Sequence, residues 1–284
     1  MAQFTNQAQL SYNNTVINSN IVVGEIAEVV SADKTAVVDT YTADGTVTYA
    51  ISIVNSGNTA ITNLSVNDDL GAYTQGAETR TPLNYIDGSV QLFINGVLQT
   101  APAVTSNPGL TFSGINLPAN SDLVLIYSAA VNGFAPLGAG DSIINTATVT
   151  GNGIPSPIVV TETVTPVEEP QLRITKSLEP VSVTENGTLT YRFVIENFGN
   201  APAVATDNVA LSDLFDPILS NLSVNLDGTP WSEGAEYNYD ETTGQFNTVP
   251  GQITVPAATY TQDPDTGVWS ITPGVTVLTV SGTI

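Results

Sequence analysis

The sequence has no cysteine and no histidine, and only two of its 284 residues are lysine, Lys34 and Lys176. Without cysteine there is no disulfide framework and no thiolate chemistry. Without histidine the commonest general base and metal ligand is missing. Five Lys and Arg stand against 27 Asp and Glu, a formal net charge of -22. Phosphate binding needs basic side chains, so nucleic acid is excluded as a partner, and anionic membrane surfaces are disfavoured. No apolar run approaches the ~20 residues of a transmembrane helix, so membrane insertion is not expected. The N-terminus is polar and lacks the basic and apolar parts of a signal peptide. No calcium-loop pattern is present, and no carboxylate spacing singles out an acid and a nucleophile. Neither a metal, nor a cofactor, nor enzymatic turnover is expected.

What is present is strand sequence. Val, Thr and Ile alternate with polar residues in short runs such as VTYAISIV (47–54), LTYRFVIE (189–196) and DLVLIYSAAV (122–131), separated by Gly, Asn, Asp and Pro. Period-two alternation of β-branched residues with a turn signal every ten or so residues predicts an all-β chain of immunoglobulin-like β-sandwiches.

The chain repeats itself. DKTAVVDTYTADGTVTYAISIVNSGN begins at Asp33 and TKSLEPVSVTENGTLTYRFVIENFGN at Thr175. Lys34 to Tyr49 and Lys176 to Tyr191 are both 15 positions, and Lys34 to Asn55 and Lys176 to Asn197 both 21. NLSVND (63–68) then answers NVALSD (208–213), and LVLIYSAAV (123–131) answers TVLTVSGTI (276–284). The first copy goes on to IINTATVTGN (143–152), for which the second has no counterpart after Ile284. The counterpart stands at the N-terminus: Phe4, Asn6, Ala8 and Leu10 of FTNQAQLSYN repeat Ile143, Asn145, Ala147 and Val149. SNIVV (19–23) likewise resembles SPIVV (156–160). The organisation expected is a donor strand and linker over 1–28, a complete sandwich over 29–163, a linker over 164–170, and over 171–284 an incomplete sandwich lacking its last strand.

A sandwich missing a strand leaves core side chains wet and a row of backbone groups unpaired, and such edges recruit strands. An extended segment from another copy, pointing Phe4, Asn6, Ala8, Leu10 and Tyr12 inward, would close it. Donor and acceptor at opposite ends make the contact head-to-tail, which yields open filaments unless the rotation closes a ring. The expected partner is therefore the chain itself, in a homopolymer. The alternative is that the N-terminal strand folds back on its own second sandwich.

The two lysines occupy one repeat position, each on the first strand of its sandwich, and Asp68 and Asp213 occupy another. Each complete sandwich ends in a strand with an inward asparagine, Asn145 in the first and Asn6 in register for the second. In an apolar interior, desolvation favours a neutral amine and a protonated carboxyl. A neutral lysine can attack an asparagine carboxamide, with the carboxyl polarising the carbonyl and moving protons, so that ammonia leaves and an isopeptide bond remains. Lys34–Asn145 would be promoted by Asp68, and Lys176–Asn6 by Asp213. The bland alternative is a Lys–Asp ion pair with a hydrogen-bonded Asn.

At these motifs the chain resembles the bacterial conserved-repeat domain, "domain of unknown function eleven", of Gram-positive surface proteins. Gly45 to Asn58, Asn63 to Leu70, and Asn145 to Val149 carry the pattern, as do Gly187 to Asn200 and Asn208 to Asp213. The resemblance implies immunoglobulin-like sandwiches in extracellular stalks and fibres. The chain is also similar to the appendage subunits of clostridial endospores, which implies an endospore or cell surface. The reading favoured is a structural fibre subunit. The other is a monomeric adhesin for an unknown ligand, with Trp231 to Gly267 as its ligand loop.

Overall fold

The computed structural model describes residues 2–26, 29–106 and 109–284. Strands dominate, and the one helical element among the described residues is a 3-10 turn, Ala205–Asp207. No helix there is long and apolar enough to cross a membrane.

The chain begins with an arm of four short strands, β1 (Ala2–Asn6), β2 (Gln9–Tyr12), β3 (Thr15–Asn18) and β4 (Val22–Ile26). β2 and β3 join through Asn13 and Asn14, both in the left-handed region (φ 44 and 62), which is the backbone of a two-residue hairpin turn. β1 pairs antiparallel with β4, Asn6 opposite Val22. The arm is therefore a hairpin, where sequence predicts a single strand. From Phe4 to Val23 every side chain is exposed, Phe4, Leu10, Tyr12, Val16 and Ile17 among them.

The first sandwich contains β5 (Val30–Ala36), β6 (Thr40–Tyr41), β7 (Thr46–Asn55), β8 (Ile61–Asp68), β9 (Tyr73–Gln75), β10 (Glu78–Arg80), β11 (Leu83–Tyr85), β12 (Gln91–Ile94), β13 (Val97–Leu98), β14 (Ala103–Thr105), β15 (Leu110–Leu117), β16 (Ser121–Val131), β17 (Ile143–Asn152) and β18 (Ile158–Pro166). One sheet runs β13-β12-β16-β7-β5 and the facing sheet β14-β15-β8-β17-β18-β6. Alternate residues of β7 and β16 are buried, and Tyr49, Ile51, Ile53, Leu123, Leu125 and Tyr127 meet Leu64, Val66, Leu110 and Phe112 from the other sheet. β18 runs three residues into the linker read from sequence, because Val164 fills the core and Thr165 and Pro166 pair with β6. The linker is thereby reduced to Val167 onwards.

The second sandwich contains β19 (Leu172–Glu179), β20 (Thr188–Asn197), β21 (Ser212–Leu214), β22 (Ser220–Leu226), β23 (Thr229–Trp231), β24 (Tyr237–Asp240), β25 (Gln245–Thr248), β26 (Thr259–Gln262), β27 (Trp269–Thr272) and β28 (Gly274–Thr283). Its first sheet, β19-β20-β28-β22-β23, repeats the β5-β7-β16-β12-β13 path of the other sandwich, without a separate counterpart of β11, which also pairs with β16. Its second sheet has only β21-β25-β24. β21 stands where β8 does, but β8 is flanked by β15 and β17, whereas β21 pairs with β25 alone. Among the described residues no strand lies beside β21 as β17, followed by β18, lies beside β8. β19 shows the consequence: its eight residues are all exposed, while on β5 Lys34 is buried under β18.

The sequence region 231–267 does not hang free as a ligand loop. β24 and β25 belong to the second sheet, and the β26–β27 hairpin turns back onto the first sandwich. Gln262 Nε2 donates to the Tyr73 hydroxyl at 2.6 Å, Gln75 Nε2 to the Asp263 carbonyl at 2.9 Å, and Trp269 N to the Gly133 carbonyl at 3.0 Å.

Phe215 anchors the thinner core. Its ring lies flat on Tyr191 (4.9 Å, 4°) and touches Phe246 and Tyr239. Phe215→Ala is expected to destabilise the second sandwich by about 3–5 kcal/mol, read as a shift of its urea midpoint with the first sandwich unaffected.

Candidate crosslinking sites

In the first sandwich the two sheets bring Lys34, Asp68 and Asn145 together from three separate strands. Lys34 sits at a buried position of β5, opposite Ile51 of β7. Asp68 ends β8, and Asn145 comes from β17, two residues before the Ala147 that pairs with Asp68. All three side chains are buried; Lys34 is 2% exposed. Lys34 Nζ donates to Asp68 Oδ2 at 2.7 Å and lies over the Tyr49 ring, 4.8 Å from its centre. Loss of solvent lowers the Lys34 pKa, against the opposing pull of Asp68. Asp68 Oδ1 accepts the Leu70 backbone N–H at 3.0 Å, which fixes the carboxylate.

A fourth residue belongs to this cluster. The Tyr127 hydroxyl donates to Asp68 Oδ2 at 2.7 Å and accepts from Asn145 Nδ2 at 3.0 Å. Asn145 Oδ1 and the Tyr49 hydroxyl are buried without a hydrogen-bond partner. An amine, a carboxylate and a carboxamide joined through one phenol and shut away from water have the composition that amide exchange needs. Sequence reasoning missed Tyr127, although LVLIYSAAV against TVLTVSGTI sets it opposite Val280. That difference between two otherwise parallel strands was its signal.

In the second sandwich Lys176 pairs with Asp213 and lies over the rings of Tyr191, Phe193 and Phe215, 4.3 to 5.6 Å from their centres. The side chains are 40% and 18% exposed, against 0% for both Lys34 and Asp68. Among the described residues no asparagine joins this pair. Asn6 lies in the arm, where among the described residues the side-chain hydrogen bonds stay within the arm, as in Gln7 Nε2 to the Ser19 carbonyl at 2.8 Å and Gln9 Nε2 to Asn18 Oδ1 at 3.1 Å. Phe4, Leu10 and Tyr12 are likewise exposed along it. Ala8 falls between β1 and β2, where its N–H donates to Ser19 Oγ and its carbonyl accepts the Ser19 N–H. Among the described residues no group of three or more Asp or Glu side chains is disposed to hold a metal ion.

Comparison with protein families finds no match, and neither does comparison with curated proteins. Among solved structures the chain is similar to BcpA, the major pilin subunit of Bacillus cereus, at 12% identity over 95% of this chain and 73% of that one, with a TM-score of 0.36. It is similar to the major pilin SpaD of Corynebacterium diphtheriae at 11% identity over 86% of this chain and 59% of that one, TM-score 0.37. A family 123 glycoside hydrolase from Clostridium perfringens also matches, at 8% identity over 49% of this chain and 28% of its own length, TM-score 0.29. A strand-rich likeness that joins pilins to a hydrolase does not select a function.

The two Lys–Asp pairs should differ in cost. Asp68→Ala leaves an ammonium in the core and is expected to destabilise the first sandwich by about 3–5 kcal/mol. Asp213→Ala removes a solvent-screened pair and should cost about 1 kcal/mol or less. Chemical denaturation of the two variants checks the contrast.

Proposed function

We propose that the chain is the structural subunit of a self-assembling bacterial surface fibre, joined head-to-tail by its N-terminal arm and locked by Lys–Asn isopeptide bonds. The observation that carries this reading is the open edge of β21 beside a half-exposed Lys176–Asp213 pair. That edge lies where β17 brings Asn145 to Lys34 in the first sandwich. The same chain holds a β17-like sequence exposed in its arm.

The fit is specific in register. If the arm of a second copy takes the place of β17, Ala8 stands opposite Asp213 as Ala147 stands opposite Asp68. Asn6 then faces Lys176, and Phe4 and Leu10 take the buried places of Ile143 and Val149. The arm is a hairpin, as β17–β18 is, so its second strand is available to cover β19 as β18 covers β5. Entry requires the break between β1 and β2 at Gln7 and Ala8 to straighten into one strand. The driving terms are burial of exposed apolar surface on both partners, at about 25 cal/mol per Å², and the ladder bonds of β21.

Docking shuts Lys176, Asp213 and Asn6 away from water. The Lys176 amine then displaces ammonia from the Asn6 carboxamide, and each contact in the fibre becomes covalent. Within each subunit Lys34 and Asn145 make the corresponding bond. No catalytic turnover is involved. A Cys-free, acidic, covalently joined fibre is independent of redox conditions and suits a cell or endospore surface, and the resemblance to conserved-repeat stalk domains and endospore appendage subunits points the same way. The monomeric adhesin has less support, because the segment that would serve as its ligand loop is taken up by the second sheet and by contacts to the first sandwich.

Boiled, purified protein on a denaturing gel should run as a ladder, with the mass of each band lower by one ammonia per bond. Asn6→Ala should give filaments that fall apart to monomers on boiling, and deletion of residues 1–26 should give monomers only. A synthetic peptide of residues 1–26 added to that truncated protein should become attached at Lys176, located by peptide mapping. Filaments formed without the arm overturn strand donation; a truncated protein that leaves the peptide unbound does the same.

A further inference from the structure

We propose that Tyr127 is the proton relay of the Lys34–Asn145 crosslink, delivering to the departing nitrogen of Asn145 a proton taken up by Asp68. The proposal rests on the isopeptide reading of the first sandwich and adds to it the residue that solves its leaving-group problem.

A carboxamide nitrogen cannot leave carbon as an amide anion; it must be protonated to go as ammonia. In the first sandwich Asp68 does not hydrogen-bond Asn145. Asp68 Oδ2 holds Lys34 Nζ at 2.7 Å and the Tyr127 hydroxyl at 2.7 Å, and it is the Tyr127 oxygen that holds Asn145 Nδ2 at 3.0 Å. The amine that must lose protons and the nitrogen that must gain one are therefore the two ends of a single chain, Nζ to Oδ2 to phenol to Nδ2. Tyr127 is fully buried, its ring fixed by Tyr49 at 5.6 Å and Phe112 at 5.3 Å, so the phenol cannot swing out of line. Burial and the neighbouring carboxylate push its pKa well above the ordinary value, so it donates and accepts in concert without ionising.

The step balances. The Lys34 ammonium passes one proton to Asp68, and the freed Nζ pair forms a bond to Cγ of Asn145 while the carbonyl π pair moves to Oδ1. Asp68 hands its proton to the Tyr127 oxygen as Tyr127 gives its own to Nδ2. The C–Nδ2 bond breaks with its electrons on nitrogen, the carbonyl re-forms, and ammonia departs. The second Nζ proton is left on Asp68. The products are a neutral amide, ammonia and a protonated Asp68, with Tyr127 unchanged.

The second sandwich supplies the contrast. Val280 stands opposite Tyr191 as Tyr127 stands opposite Tyr49. Phe215 takes over the ring stacking on Tyr191 but brings no hydroxyl. Lys176 has no phenolic relay from that strand, so the two sites of one molecule should respond differently to loss of Tyr127.

The test is a time course after cell-free synthesis of the full chain, with loss of ammonia at Lys34–Asn145 followed by peptide mapping and intact mass. Tyr127→Phe should slow that loss by about 100-fold or more and leave attachment at Lys176 at its original rate. Replacement of Tyr127 by 3,5-difluorotyrosine keeps the ring and the hydroxyl while making the phenol more acidic, and should change the rate in a protein of unchanged melting temperature. A Tyr127→Phe protein that forms the bond as fast as the unaltered chain overturns the relay and leaves the crosslink standing, as does a fluorinated protein of unaltered rate. An unaltered chain that never loses ammonia there overturns both.

Discussion

Whether a lysine ends in water or in the core is decided in each sandwich by the strand that lies beside it. The first sheets of the two sandwiches share a five-strand path, and each puts its lysine on the first strand over the ring of a tyrosine. Where β17 and β18 are present, the ammonium is sealed with its carboxylate and an asparagine amide. Where they are missing, it stays wet beside Asp213. Taking two charges out of water costs several kcal/mol per ion, which an ion pair repays only with close geometry and further hydrogen bonds. A closing strand must offset that cost with its own burial, so in the proposed assembly strand insertion and dehydration of Lys176 would be one event. A group that becomes dry only when its partner is seated is protected from reacting with anything else.

The fold was legible in the chain because its strands and turns are written in local patterns. Lysine is so scarce that two at one repeat position are informative. The paired spacings to Tyr49 and Tyr191, and to Asn55 and Asn197, align strands that the structure places identically, and both asparagines bond the turn that follows them. The recurrence of Asn-x-Ala in the arm and in β17 set the arm beside the strand that pairs with Asp68 in the first sandwich. These are local signals, carried by period-two alternation and by residue types with narrow uses.

What stayed illegible depends on contacts between distant strands. Tyr127 reads as one more inward aromatic of β16, and only the convergence of β8 and β17 upon its hydroxyl gives it a role. The second half of the arm was hidden for a different reason: Asn13-Asn14 is a hairpin turn in a stretch whose apolar residues face solvent on both sides, so no buried face announces a pairing. Phe215 stands at the position of Leu70, two residues after the shared aspartate, and only the structure shows that its ring stacks on Tyr191 as Tyr127 stacks on Tyr49 in the first sandwich. The extent of β18 was blurred by Pro166 and the acidic residues after it, which look like linker until β6 is seen alongside.

The joint between the sandwiches bears on how a fibre would carry load. Each sandwich receives its incoming chain in the same way: Ser56 N–H bonds the Val29 carbonyl in the first, and Phe198 N–H bonds the Gln171 carbonyl in the second, both at 2.8–2.9 Å. In the proposed assembly the arm seated in one subunit's second sandwich runs into β5 of the next, as β18 runs into β19 within one chain. Every junction along the fibre is then a closing hairpin followed by an entering strand, whether or not it crosses between subunits. In that assembly a covalent bond at each lysine would route tension from the entering strand straight into the closing one, bypassing the hydrogen bonds between sheets. The weak points of such a fibre are its free ends, where one arm is unhoused and one lysine is still wet.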